Sequence, residues 1–145
     1  MPKETDPIRA ALKEYIVRDF PGAIANPRIL AYFKSAGASY VVSDETPWCA
    51  AFCNYILAEC GLPQSGGLTA QSFKDLGLKT DTPQLGDIVI LGAPPFPCPW
   101  GHVGFFIARD ANMVYILGGN QNSEVCIAGF PISKVFQYRT LTVQA

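Results

Sequence analysis

The stretch Gly101-His102-Val103-Gly104-Phe105-Phe106-Ile107-Ala108-Arg109-Asp110-Ala111-Asn112-Met113-Val114-Tyr115-Ile116-Leu117-Gly118-Gly119-Asn120 decides the fold. Two apolar runs rich in β-branched and aromatic residues flank the polar link Arg109-Asp110-Ala111-Asn112. A link this short joins antiparallel neighbours, so the pattern predicts a hairpin of strands over 101–108 and 113–117. Three further runs of strand character surround it, Asp87–Leu91 before and Val125–Phe130 and Val135–Leu141 after. The second half of the chain is therefore expected to form an antiparallel sheet of about five strands.

Upstream of residue 80 the apolar period is helical. Asp6 with Pro7 reads as an N-cap and first helical residue, and Ile8, Leu12, Tyr15 and Ile16 then share one face up to Pro21-Gly22. Asn26 with Pro27 repeats the signal for a helix reaching about Ser35 before Gly37. Thr46 with Pro47 repeats it again for a helix reaching Glu59 or Cys60, stopped by Gly61. A shorter helix is expected over Thr69–Leu76. Helices first and antiparallel strands second is an α+β order, in one domain over 1–145 with a helical part near 6–77 and a sheet part near 86–141.

Composition narrows the function. The 145 residues carry 11 Lys+Arg against 12 Asp+Glu, a formal net charge of −1. No basic stripe exists to neutralise nucleic-acid phosphates, and no polybasic anchor to hold a membrane surface. The most apolar stretch, Ile88–Ala108, contains Pro94, Pro95, Pro97 and Pro99, which would break a spanning helix, so no stable membrane insertion is expected. The N-terminus has no apolar export signal. Synthesis in the cytoplasm follows as an expectation, with the odd count of five cysteines at irregular spacings arguing against a disulfide framework.

Cys49, Phe52, Cys53, Ile56 and Cys60 fall on one stripe of the third helix, the face that packs on the sheet. Cys53 and Cys60 read as core, as does Cys126 in its strand, since cysteine is among the most buried residues. Cys49 differs: it is the third helical position after Thr46, where free N–H groups and the positive end of the helix dipole stabilise a thiolate. Asp44 and Glu45 just upstream would oppose that charge. His102 is the only imidazole, so any thiol–imidazole chemistry must use it. With the hairpin turn near Asp110, position 102 pairs with 119 or 120, which puts Asn120 within reach of the ring as the group that orients it. Trp48 and Trp100 flank the two reactive residues and are candidate groove walls for substrate, the alternative being buried packing. A zinc site from Cys49/Cys53 and Cys98/His102 is disfavoured because neither spacing is a tight knuckle, so no metal and no cofactor is expected.

Taken together and in order, Thr46-Pro47-Trp48-Cys49-Ala50-Ala51-Phe52, Gly86-Asp87-Ile88-Val89-Ile90, Gly101-His102-Val103-Gly104-Phe105 and Leu117-Gly118-Gly119-Asn120-Gln121 resemble the CHAP and NlpC-type superfamily of papain-like cell-wall hydrolases. The resemblance runs from about residue 25 to 139 and is strongest for small single-domain members such as phage endolysins. It implies a papain-like fold, a Cys49–His102–Asn120 mechanism, a monomer, and peptidoglycan as partner, cut at an amide or peptide bond. It also implies action in the periplasm or cell wall after release. Two other readings stay open on the same fold: a catalytically silent binding module, and a cysteine amide hydrolase acting as an effector on another substrate.

Overall fold

The computed structural model describes residues 4–21, 24–43, 46–92 and 101–141. Asp6 and Asn26 cap the first two helices as their sequences require. The Asp6 carboxylate accepts from Ile8 N and the Asn26 amide oxygen accepts from Arg28 N, each with proline at the helix start. Helix α1 spans Pro7–Leu12, α2 Pro27–Ser35 and α3 Cys49–Glu59. The fourth expected helix is a 3-10 segment, Ala70–Asp75.

Six strands follow: β1 Leu78–Thr80, β2 Ile88–Leu91, β3 His102–Arg109, β4 Met113–Gln121, β5 Glu124–Pro131 and β6 Val135–Thr140. They form one antiparallel sheet in the order β1-β6-β2-β3-β4-β5. The α+β class and the hairpin β3–β4 are as read from sequence. The extra strand is β1, whose three residues carry no alternation of their own and pair with β6 at Leu78↔Thr140.

Two expected boundaries are corrected. Helix α1 stops at Leu12, although the apolar period continues to Ile16, because the chain beyond it pairs along the edge of β5. Ile16 N donates to Val125 O at 2.9 Å, Val125 N to Val17 O at 2.7 Å and Asp19 N to Ser123 O at 3.1 Å. Helix α3 begins at Cys49 with Trp48 in the cap position and no side-chain cap, so Cys49 is its first helical residue rather than its third.

The sheet separates two apolar clusters. Val103, Phe105, Leu117, Ile88 and Ile90 join the helices' Ile29, Tyr32, Phe33, Phe52, Ile56 and Leu57 on one face. Val89, Leu91, Phe106, Val114, Ile116 and Tyr138 form the other. Strand alternation makes this division: each of Ile88, Ile90, Val103 and Phe105 is two residues from the next on its own strand. At 25 cal/mol per Å² of apolar area, roughly 2 kcal/mol per fully buried Ile, Leu or Phe side chain stands behind each cluster member.

Candidate active site

Helix α3 lies over the β3–β4 hairpin, and the contacts that seat it define which end of the sheet it reaches. The Cys53 thiol approaches Val103 O at 3.7 Å. Gly119 on β4 touches both Trp48 and Phe52: a Cβ there would sit 2.7 Å from Phe52 Cβ and 2.7 Å from Trp48 Cζ3. Cys49, one turn before Cys53 and flanked by those aromatics, is therefore at the end of the hairpin where β3 begins with His102. Only a glycine permits this approach of helix to strand.

Cys49 is buried and held in a disulfide. This corrects the expectation that the cysteines are unbridged. Cys53, Cys60 and Cys126 are buried and not disulfide-bonded, the core residues the sequence predicted. Burial pushes the Cys53 and Cys126 thiols up, so neither is a candidate nucleophile. Cys98 and Trp100 lie outside the described residues. Trp48 is fully buried, stacked near Tyr32 with ring centroids 5.9 Å apart, and its indole Nε1 has no hydrogen-bond partner. It packs the head of α3 and does not wall a groove, because the Gly119 contact draws it under the helix.

His102 is fully buried at the start of β3. Its Nε2 lies 2.9 Å from Gln121 Oε1, and its Nδ1 has no hydrogen-bond partner. Its ring rests against Phe130, centroids 5.2 Å apart. Val103 and Phe105 face the helices, so alternation puts His102 with Gly104 and Phe106 on the other side of the strand. The sulfur and the ring thus reach the start of β3 from its two faces, and no hydrogen bond joins them. Burial depresses the imidazole pKa, offset in part by the bond to Gln121, to about 4. The ring is neutral at pH 7.

The partner of His102 is Gln121, and not Asn120 as the hairpin register predicted. The β4–β5 register shifts between Gly118 and Gln121, and Asn120 adopts φ 59. That irregularity turns the chain by one residue, and Gln121 is the side chain carried to the ring. The Gln121 amide is itself pinned: its Nε2 donates to Ile116 O at 3.1 Å and to Cys126 O at 2.8 Å. Sequence alone offered one signal for this, Gly118 three residues before it, which leaves free the space the amide fills.

No group of three or more His, Cys, Asp or Glu able to hold a metal occurs among the described residues. No helix among them is long and apolar enough to cross a membrane. Pockets formed by described residues open elsewhere, one lined by Thr5, Pro7, Leu62, Leu85, Gly86, Asp87 and Leu141. Compared with known families, the chain matches the model of the CHAP domain over residues 41–120. No curated protein matches it.

Proposed function

This chain belongs to the CHAP domain family, and from that premise we propose that it hydrolyses an amide or peptide bond of peptidoglycan with Cys49 as nucleophile and His102 as general base. The observation that carries the proposal is the placement of a cysteine as first residue of α3 at the same end of the hairpin as a neutral imidazole whose Nδ1 is uncommitted. Both the residue types and the helix start are what thiol hydrolysis needs.

Chemistry begins when a thiol reductant opens the Cys49 disulfide, two electrons and two protons converting it to free thiols. In the disulfide form the sulfur and the ring lie on the two faces of β3, so the proposal requires that Cys49 Sγ and His102 Nδ1 come together once the thiol is free. His102 takes the thiol proton, and the thiolate attacks the carbonyl carbon. The Cys49 N–H, at the first position of α3, is the proposed donor to the developing oxyanion. Collapse breaks the C–N bond, the imidazolium gives its proton to the leaving amine, and a thioester remains. Water, deprotonated by His102, attacks the thioester and releases a carboxylate and the thiol.

With a formal net charge of −1, the proposal assigns substrate affinity to the site itself and not to a cationic surface. Action on the cell wall after release, in the manner of an endolysin, is part of this proposal. The test is digestion of purified sacculi by reduced protein, with the muropeptides read by mass spectrometry. New amine and carboxyl termini are expected, absent with Cys49→Ala. A folded Cys49→Ala protein that still lyses sacculi would overturn the proposal, and the masses separate an amidase cut from an endopeptidase cut.

A further inference from the structure

We propose that the cavity at the start of β2 binds a primary ammonium carried on an aliphatic chain, with Asp87 as its counter-ion, and that the group it takes is the side chain of a lysine or other diamino acid within a peptide. The site is independent of the thiol chemistry above. Asp87 precedes Ile88 at one end of β2, whereas Leu91 at the other end pairs with His102. Those four residue steps span roughly 13 Å.

The cavity has a volume of about 260 Å³, walled by Pro7, Leu62, Leu85 and Leu141, with Thr5 and Asp87 as the polar side chains of its lining. Pockets for whole small molecules run roughly 300–1,000 Å³, so this one fits a side chain. Asp87 is the one charged residue in the lining, and it is 6 % exposed. A carboxylate buried that far is costly unless partners satisfy it. Its two oxygens differ. Oδ2 accepts from Gln84 N at 2.8 Å. Among the described residues nothing donates to Oδ1, and that oxygen is not sealed from solvent. Backbone bonds fix the residue itself: Asp87 N donates to Gln84 O at 2.9 Å, and Asp87 O accepts from Phe106 N at 2.7 Å. An apolar cavity thus holds one carboxylate oxygen at a set position without a protein donor.

That chemistry selects its ligand. A hard metal ion needs several oxygen ligands, and one carboxylate oxygen among leucine and proline walls does not supply them. A guanidinium pairs best with both oxygens of a carboxylate, and here Gln84 N already holds one. An ammonium is a compact point charge that needs one strong acceptor and leaves its other hydrogens to water at the mouth. Its methylene stem then covers the apolar walls. A peptide-borne amine is favoured over a free diamine because the lining offers one carboxylate, which leaves a second ammonium without a counter-ion.

The test is an NMR titration of the full chain at pH 7 with n-butylammonium, read on the backbone amide signals of Leu85, Gly86 and Asp87. Saturable shifts with a millimolar Kd are expected for so small a ligand. Butanol, which keeps the stem without the charge, and butylguanidinium are each expected to bind about tenfold more weakly. Asp87→Asn keeps an oxygen for Gln84 N and removes the charge, and the same loss of about tenfold is expected. Absence of a saturable shift overturns the proposal, as does butanol or butylguanidinium binding as tightly as the ammonium, or an Asp87→Asn protein with unchanged affinity. If that variant does not fold, the 13Cγ signal of Asp87 in the wild-type protein decides: it must move with n-butylammonium, and a static signal overturns the site. Nα-acetyl-lysine N-methylamide is expected to bind more tightly than 1,5-diaminopentane, and the reverse order would overturn the assignment to a peptide side chain.

Discussion

Gly118 and Gln121 share one space: the position a Cβ would take on Gly118 is 2.5 Å from Gln121 Oε1. The glycine is thus what allows the amide to fold back beneath its own strand and meet His102. Gly118→Ala must displace an amide held by three hydrogen bonds, at Ile116 O, Cys126 O and His102 Nε2. Overpacking of this kind costs about 1–3 kcal/mol. Urea unfolding should show that loss, and the 15N ring signal of His102 should shift. An unchanged ring signal would contradict the placement of Gln121.

Gly119→Ala should cost more, about 3 kcal/mol, because the atoms it meets are not the tip of a flexible chain. They are Phe52 Cβ and the Trp48 ring, both fully buried, so α3 as a whole must move off the hairpin. Comparing unfolding midpoints of the two glycine variants checks the order. An equal or smaller loss for Gly119→Ala would show that α3 is not seated as described.

Reductant should control activity. A disulfide sulfur is not a nucleophile and a thiolate is, and Cys49 is disulfide-bonded. Lysis of sacculi and alkylation of Cys49 by iodoacetamide should both be absent in oxidised protein and appear after treatment with a phosphine reductant. Peptide mapping locates the label. Cys53, with its thiol pushed up by burial, should remain unlabelled in the folded state.

Stability should fall on mild acidification through His102. Its pKa in the folded state is depressed to about 4, chiefly by burial, against about 6.5 in an unfolded chain. Between those values the unfolded chain binds a proton that the native ring refuses, so stability is complete above about pH 6.5 and drains away as the pH falls toward 4. The full gap corresponds to on the order of 3 kcal/mol. Urea midpoints at pH 7 and pH 5 measure it, and His102→Asn should flatten the difference. A wild-type midpoint that does not move between those pH values would refute this.

A second acid-sensitive element ties the turn after α1 to α2. Glu14 is buried, which pushes its carboxyl up, but Arg28 and the Tyr32 hydroxyl more than offset this and hold it below its ordinary range. With a depressed folded pKa, its contribution is present above the unfolded value of about 4.3 and lost as pH falls below it. Arg28→Met leaves the carboxylate buried with only a hydroxyl. Because the Arg28 side chain is itself half exposed, a cost of about 2 kcal/mol is expected, below that of a fully buried pair. Thermal unfolding at pH 7 reads it, and a loss under about half a kcal/mol would mean the pair carries no weight.

Local patterns settled much of this protein from sequence. The helix starts at Asp6-Pro7 and Asn26-Pro27 were legible because a cap and its helix are neighbours in the chain. The hairpin was legible because a short polar link leaves antiparallel pairing as the simple outcome. The four CHAP-like motifs were legible as composition in order. What sequence could not give were outcomes fixed by distant parts of the chain: the end of α1 at Leu12, set by pairing of residues 16–19 with β5, and the strand status of Leu78–Thr80, set by β6.

At the site the division is sharper. A lone histidine and a cysteine at a helix start are properties of the sequence, and they alone singled out the thiol and the imidazole of the proposal. Which amide holds that imidazole was decided by tertiary structure. A register shift near Gly118 and a positive φ at Asn120 pass the task from Asn120 to Gln121. In a strand one residue reverses the face a side chain occupies, so a single irregularity, invisible to pattern and created by the pairing of β4 with β5, chose the partner.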